Sequence, residues 1–198
     1  MIFSNLKIDA SWSLFLDRDG VINRRMVGDY AKTWKDFEFL PGVKEAIALF
    51  APLFGKIIIV SNQQGVGKGL MTLQDVEKIH HEMCEEIETA GGRIDAVFFA
   101  PNLASEKSIL RKPAIGMALK ARKRFPEIRF KYAFMAGDSM SDMIFGKRCG
   151  MKTVLINPDN TIARRHPRWI DGCYPDLITL ARQLSLLTAN PHNPSSPK

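Results

Sequence analysis

The chain has 198 residues, 45% hydrophobic and 25% charged, so it is long enough for one well-filled core and short for two. Its formal net charge of +7 favours anionic ligands such as phosphorylated metabolites, nucleic acid or acidic surfaces. Its three cysteines are widely separated, which argues against a disulfide framework or a cysteine-rich zinc site, and no apolar run suits a signal peptide or a membrane span. We therefore expect a cytoplasmic protein with no membrane partner.

Apolar runs of strand length recur along the chain and are separated by segments with helical spacing. In order, the runs are "SLFL" at 13–16, "KIIIVS" at 56–61, "DAVFFAP" at 95–101, "YAFMAG" at 132–137 and "KTVLIN" at 152–157. This alternation predicts an α/β fold, a three-layer α/β/α Rossmann-like parallel sheet with helices on both faces.

The clearest helix is predicted to start at Thr72, where "TLQD" resembles a capping box. Other helices are expected after Pro41, Pro113, Ser141 and Pro175. We expect one domain over residues 1–187. The polar, proline-rich "TANPHNPSSPK" at 188–198 has too few apolar residues to order itself and is expected to be a disordered tail.

Polar side chains follow several of the predicted strands. Asp17 and Asp19 come after the first run, Ser61 ends the second, and Asp138 follows the fourth. Lys112 stands just before a predicted helix, between the third and fourth runs. Because ligands bind at the carboxyl ends of strands in an open parallel sheet, these side chains are expected to share one rim.

Phosphoryl transfer accounts for this set of side chains. The reaction needs a nucleophile, positive charge beside the phosphate oxygens and a proton for the leaving oxygen. Asp17 can attack phosphorus and also bind Mg²⁺, for which carboxylate oxygens are preferred ligands. Asp19, two residues on and on the same side of an extended chain, can donate and accept the proton. Gly20 lets the backbone turn away beneath the ligand.

Four segments, "DRDGVIN", "SNQQGVGKG", "RKPAIGM" and "AGDSMSDM", resemble the four motifs of the haloacid dehalogenase superfamily. The resemblance runs from about Ser13 to Asn157 and is to the branch of D-glycero-D-manno-heptose 1,7-bisphosphate phosphatase and histidinol-phosphate phosphatase. The resemblance implies that Asp17 is the nucleophile, Asp19 the general acid/base, Ser61 a hydrogen-bond donor to the phosphate and Lys112 the residue that neutralises phosphate charge. It also implies that Mg²⁺ is bound by Asp17, Asp138 and the backbone carbonyl of Asp19, with Asp142 supporting the metal site.

Three further residues are predicted to contact the substrate. Asn62 and Gln63 follow Ser61, and Arg111 resembles the second basic residue of the branch, which contacts the substrate beyond its scissile phosphate. The loops "MVGDYAKTWKDF" and "NLASEKS" are expected to edge the pocket, with Trp34 as a candidate wall.

The chain departs from the branch in one respect. Members usually hold zinc through three cysteines and a histidine just before the lysine motif, whereas "FAPNLASEKSILRKP" here contains neither residue type, so zinc is not expected. The intervals between motifs also matter: Asp19 to Ser61 spans 42 positions and Ser61 to Lys112 spans 51, and both already contain core elements. No cap domain is therefore expected, and the pocket should be open.

The prediction from sequence is a Mg²⁺-dependent phosphatase that forms a phosphoaspartate on a small phosphorylated metabolite, most specifically a sugar bisphosphate such as heptose 1,7-bisphosphate. Histidinol phosphate and a polynucleotide 3′-phosphate are alternative substrates. The latter is suggested by segment 101–131, whose nine basic and two acidic residues carry a formal charge equal to that of the whole chain. Phe125 and Phe130 are the only aromatics interleaved with the basic residues from Lys120 to Lys131, which gives little support for the stacking of successive bases and argues against it. A non-catalytic phosphate-binding interaction module is the alternative outside enzymes.

Overall fold

A computed structural model describes residues 3–26 and 28–189 of the chain. Six parallel strands form one sheet: β1 (Ser13–Leu16), β2 (Lys56–Asn62), β3 (Ala96–Ala100), β4 (Ala133–Gly137), β5 (Lys152–Ile156) and β6 (Gly172–Tyr174). Their order is β3-β2-β1-β4-β5-β6, so β1 lies between β2 and β4. The five predicted strands are confirmed. The sequence does not predict β6, because its three residues are too few to stand out as an apolar run.

Helices cover the sheet on both sides: α1 (Val43–Phe50), α2 (Gln64–Gly67), α3 (Leu73–Thr89), α4 (Gly116–Arg124), α5 (Met140–Cys149), α6 (Thr161–Arg165) and α7 (Leu177–Ala189). Alternate residues of β1 face the two layers. Leu14 and Leu16 pack in a core with α1, α3 and α7, whereas Phe15 packs in a second core with α4. The predicted three-layer parallel fold is confirmed.

The predicted start of α3 is also confirmed. The Thr72 hydroxyl accepts a hydrogen bond from the backbone N–H of Asp75 (3.1 Å), and the Asp75 carboxylate accepts one from the backbone N–H of Thr72 (2.8 Å). This reciprocal cap satisfies two N–H groups that a helix leaves free at its start. Val76, Ile79 and Met83 then follow at helical spacing and bury one face of α3 in the core.

The connections are short, as expected for a core without a cap domain. Among the described residues, the segment between β1 and β2 contains only the short 3-10 turn Trp34–Asp36 and α1. The segment from β2 to Lys112 contains α2, α3, β3 and a second 3-10 turn, Ala104–Glu106. At the other end, α7 ends at Ala189, and residues 190–198 of the predicted tail lie outside the described part of the chain. No helix within the described ranges has the length and apolar character to cross a membrane.

Candidate active site

The middle of the sheet brings several predicted site residues to one edge. Asp17 directly follows β1, and its backbone N–H donates to the carbonyl of Ala136 on β4 (2.9 Å). Ser61 lies near the end of β2, and Asp138 directly follows β4. Because the three strands are adjacent and parallel, their carboxyl ends open on the same cleft.

Lys112 lies buried in this cleft between two carboxylates. Its Nζ is 2.8 Å from Asp17 Oδ1 and 2.6 Å from Asp142 Oδ1, and it donates to the carbonyl of Val60 (2.7 Å). Burial alone would lower the pKa of Lys112, but the charges of Asp142 and Asp17 raise it instead. A permanent positive charge therefore stands beside the predicted nucleophile.

The environment of Asp17 opposes its ionisation. Its side chain is 7% exposed, and burial, followed by repulsion from Asp142, raises the pKa of Asp17 to about 7 despite the neighbouring Lys112. A nucleophilic carboxylate must be ionised, so further positive charge in the cleft would favour its reactive form.

Asp19 is held by three neighbouring side chains. It accepts hydrogen bonds from Arg18 Nη2 (2.9 and 3.0 Å), Asn23 Nδ2 (3.0 Å) and Gln63 Nε2 (2.8 Å). Burial alone would raise the pKa of Asp19, but the charge and hydrogen bonds of Arg18 outweigh it and lower the pKa. The carboxylate is therefore ionised in the substrate-free protein.

Gly20 lets the backbone turn beneath the cleft, as the sequence suggests, and it also leaves space for the side chain of Asp138. Its backbone is left-handed, with φ +89°, and a Cβ atom there would lie 2.0 Å from Asp138 Oδ2. A side chain at this position would therefore collide with a predicted metal ligand as well as strain the turn.

Gln63 does not have the position predicted for it. It is 1% exposed, and its Nε2 donates to both Asp19 Oδ2 (2.8 Å) and Ser61 Oγ (2.7 Å). Gln63 therefore links Asp19 to Ser61 from behind the cleft, and its prediction as a substrate-binding residue is corrected.

Asn62 borders the cleft, but its amide group is already used. Its Oδ1 accepts from the backbone N–H of Lys112 (2.9 Å), and its Nδ2 donates to the carbonyl of the same residue (3.1 Å). This pair of hydrogen bonds fixes the backbone that carries Lys112. The geometry thus assigns Asn62 to positioning Lys112, which modifies the predicted substrate contact.

Arg18 is a site residue that the sequence analysis does not identify. It is 1% exposed and lies beneath the two aspartates, where its Nη2 also donates to Gln63 Oε1 (3.2 Å). Its Nη1 lies 3.2 Å from Nε2 of His80 on α3, so the imidazole accepts this hydrogen bond. Burial and then the charge of Arg18 lower the pKa of His80 to about 3. His80 is therefore neutral and buried, and it packs against the guanidinium of Arg18.

Asp17, Asp138 and Asp142 form a group in which one oxygen from each lies within 4.8 Å of the others. Burial and the charge of Asp142 raise the pKa of Asp138 to about 6, although Arg25 opposes the shift. Asp142 is fully buried and accepts from Ser139 N–H (3.1 Å) and Ser139 Oγ (2.6 Å), which fixes it behind the other two carboxylates. Crowded, hard oxygen ligands of this kind fit Mg²⁺.

A cavity of about 410 Å³ opens in front of these residues. Beyond the reaction centre it is bordered by Tyr30, Lys68 and Arg111, and by Met26 and Ala31 of the first predicted rim loop. The second predicted rim loop, residues 102–108, does not border this cavity, so that prediction is wrong. Its contact is indirect, because the carbonyl of Asn102 accepts a hydrogen bond from Arg111 Nη1 (3.3 Å).

Trp34 does not border this cavity. Its ring stacks on Phe37 with the centroids 4.8 Å apart, and it packs edge-to-face against Phe39 (6.2 Å). The interpretation of Trp34 as a pocket wall is therefore wrong, because the 3-10 turn that carries it directs the indole into an aromatic cluster.

A family model described as "Polynucleotide kinase 3 phosphatase" matches residues 14–157. The chain belongs to this family, within the haloacid dehalogenase superfamily. It is a phosphoric monoester hydrolase. The alternative of a non-catalytic phosphate-binding module is thereby set aside.

Similar proteins of this superfamily include named phosphatases. A D-glycero-alpha-D-manno-heptose-1,7-bisphosphate 7-phosphatase of Mycobacterium tuberculosis is 42% identical over 132 residues, which cover 67% of this chain and 70% of that protein. A D-glycero-beta-D-manno-heptose-1,7-bisphosphate 7-phosphatase of Helicobacter pylori is 32% identical over 164 residues, which cover 82% of this chain and 92% of that protein.

Solved structures show the same likeness. The crystal structure of D,D-heptose 1,7-bisphosphate phosphatase from B. bronchiseptica, complexed with magnesium and phosphate, has a TM-score of 0.78 and 27% identity, and the match covers 87% of this chain and 97% of that one. The corresponding enzyme from Burkholderia thailandensis has a TM-score of 0.62 and 25% identity, with the same coverage.

Proposed function

We propose that this phosphatase hydrolyses one phosphomonoester of a small sugar bisphosphate, with D-glycero-D-manno-heptose 1,7-bisphosphate as the best candidate. The observation that carries the proposal is that a single cavity joins Asp17 to a second group of cations, Lys68 and Arg111. A bisphosphate has one phosphate for each end of such a cavity. The names of the similar proteins support the same substrate class.

The reaction is proposed to proceed in two steps. An oxygen of Asp17 forms a bond to phosphorus while the bond from phosphorus to the sugar oxygen breaks, and the leaving oxygen takes a proton that Asp19 has first acquired from solvent water. Asp19 then removes a proton from water, whose oxygen attacks the phosphoaspartate and releases phosphate with Asp17 restored. Ser61 donates a hydrogen bond to the phosphate, and Lys112 balances its charge.

Mg²⁺ is the proposed cofactor. Asp17, Asp138 and the backbone carbonyl of Asp19 would hold it, with Asp142 supporting them. When bound, the ion neutralises negative charge on the phosphate and on the carboxylates. The raised pKa values of Asp17 and Asp138 support a cation at this place, because both shifts arise from burial and from crowding by like charges.

The far end of the cavity is electropositive. Lys68 Nζ lies 5.3 Å from the centre of the Tyr30 ring, and Gln64 Nε2 donates to the Tyr30 hydroxyl (3.3 Å). Burial alone would raise the pKa of Tyr30, but hydrogen bonds from Lys68 and Gln64 and the charges of Lys68 and Arg111 lower it. The same charges would favour a second phosphate over the cationic end of histidinol phosphate.

The basic segment gives less support to a polynucleotide substrate. α4 begins near Lys112 and runs about 13 Å to the cations at its end, at about 1.5 Å per residue. Arg129 and Lys56 border a separate surface pocket beside Ser13, the first residue of β1, which is the edge opposite the reaction centre. The nearby aromatics are already covered, since Arg122 lies over the Phe130 ring at 5.0 Å.

The proposal is tested by measuring kcat/KM for both anomers of the heptose bisphosphate, histidinol phosphate and a 3′-phosphorylated oligonucleotide across a salt series. Arg111→Ala should lower kcat/KM for the bisphosphate by about tenfold or more, equivalent to about 1.4 kcal/mol. The triple change of Arg122, Lys123 and Arg124 to alanine should have no effect. Faster oligonucleotide turnover that falls steeply with salt and collapses in the triple variant would overturn the substrate assignment.

A further inference from the structure

Arg25 lies at the proposed metal site, although neither its position in the sequence nor the motifs single it out. Its Nη2 donates to Asp138 Oδ1 (2.9 Å) and to the backbone carbonyl of Asp19 (3.3 Å). These are two of the groups proposed to hold Mg²⁺. The guanidinium therefore bridges two oxygens that the metal ion would also need.

The backbone around Arg25 is held by hydrogen bonds, whereas its side chain is half-exposed. Asn23 forms an isolated β-bridge with Phe39, and the backbone N–H of Arg24 donates to the carbonyl of Glu38 (2.8 Å). The backbone before Arg25 is therefore tied to residues 38–39 of the same chain. The side chain of Arg25 is 49% exposed, and that of Asp138 is 15% exposed. An ion pair with this exposure is weak, so a divalent cation could replace it at small cost.

We propose that Arg25 is a tethered cation that competes with Mg²⁺ for Asp138 and the Asp19 carbonyl and is released into the cavity when the metal binds. Arg25 borders the same cavity as Ser61 and Lys112, so the released guanidinium can reach a phosphate there. Metal loading thus sets the positive charge available to the substrate. This inference rests on the proposed metal site.

If Arg25 competes with the metal, removing its side chain should strengthen Mg²⁺ binding, whereas removing an arginine that only binds substrate would not. Arg25→Ala should tighten Mg²⁺ binding to the substrate-free protein, with the Kd falling roughly two- to tenfold, because the metal no longer displaces an ion pair. Arg25→Lys keeps the charge but not the planar fork, so its Kd should lie between those of the wild type and the alanine variant.

Isothermal titration of each metal-free protein with MgCl₂ measures these values. Arg24→Ala is the matched control, since Arg24 is the adjacent residue and carries the same charge but pairs with Glu38 (2.7 Å) away from the metal site. It should leave the Mg²⁺ Kd within about twofold of the wild-type value. A second titration, of Mg²⁺-loaded protein with inorganic phosphate, should show weaker phosphate binding by Arg25→Ala.

The outcomes separate this inference from the proposed function. If the wild type binds Mg²⁺ and Arg25→Ala binds it with the same or lower affinity, the competition is refuted and the metal site stands. An arginine that only binds phosphate would give this result. If the wild type binds no Mg²⁺, the proposed metal site fails and the inference fails with it.

Discussion

The buried His80 makes the stability of this protein sensitive to mild acid. Its Nε2 accepts a hydrogen bond from Arg18, and its ring packs edge-to-face on Phe99 with the centroids 5.4 Å apart. Protonation would place a second cation against the guanidinium in a site that is 6% exposed. His80→Gln keeps an acceptor for Arg18 but does not titrate, so it isolates this contribution.

The magnitude follows from the two pKa values. The ordinary pKa of histidine is 6.5 and that of His80 in the folded chain is about 3, so between these values only the unfolded chain takes up the proton. The free energy of unfolding therefore falls as the pH is lowered through this window and is unaffected above it. At pH 5 the loss is about 2 kcal/mol, and it depends little on the folded pKa as long as that stays below about 4.

Urea unfolding followed by circular dichroism at pH 7.5 and pH 5.0 measures the effect. Between these two pH values, the free energy of unfolding of His80→Gln should gain about 2 kcal/mol relative to the wild type. His81→Gln is the control, because His81 is the next residue on α3 but its side chain is 71% exposed. If the free energies of unfolding of the wild type and His80→Gln change between the two pH values by the same amount, within about 0.5 kcal/mol, the buried neutral imidazole is refuted.

Three further predictions concern the reaction centre. Asp17→Asn should abolish turnover while the fold persists, because the amide cannot form a phosphoaspartate; activity within about tenfold of wild type would remove Asp17 as the nucleophile. Chelation should abolish activity and Mg²⁺ alone should restore it, whereas stoichiometric zinc in protein purified without added metal would contradict the proposed cofactor. Lys112→Met should abolish turnover and lower the free energy of unfolding by about 3–5 kcal/mol at neutral pH, since it strands two buried carboxylates; a urea midpoint equal to that of wild type would contradict the buried ion pairs.

Most of the fold follows from the sequence because its signals are local. Each of the five predicted strands is a short apolar run, and α3 starts at its own capping box, so neighbouring residues are enough to place them. β6 escapes prediction because Gly172, Cys173 and Tyr174 form a strand only by pairing with β5. Such a pairing lies between distant parts of the chain and leaves no periodic pattern.

The positions of the proposed reactive residues could be predicted for a similar reason, since Asp17, Ser61 and Asp138 all stand at or next to strand ends. The supporting residues could not. Arg18 is held in place by His80, 62 positions away, and Arg25 pairs with Asp138, 113 positions away. Their roles depend on which helix or loop faces them, and ion pairs between arginine and carboxylates also occur on exposed surfaces, where they contribute little.

The charges gathered at the site explain why it suits a metal ion and a phosphate together. Four carboxylates, on Asp17, Asp19, Asp138 and Asp142, face three cations, on Arg18, Arg25 and Lys112, which leaves a formal charge of −1. This imbalance repels a phosphate dianion and helps to raise the pKa of Asp17 to about 7. A divalent cation changes the sum to +1, so the cleft that resists ionisation of the proposed nucleophile, Asp17, would then favour both its carboxylate and the phosphate. Substrate binding should therefore depend on metal even where Arg18, Arg25 and Lys112 are intact, which phosphate titrations with and without Mg²⁺ can measure.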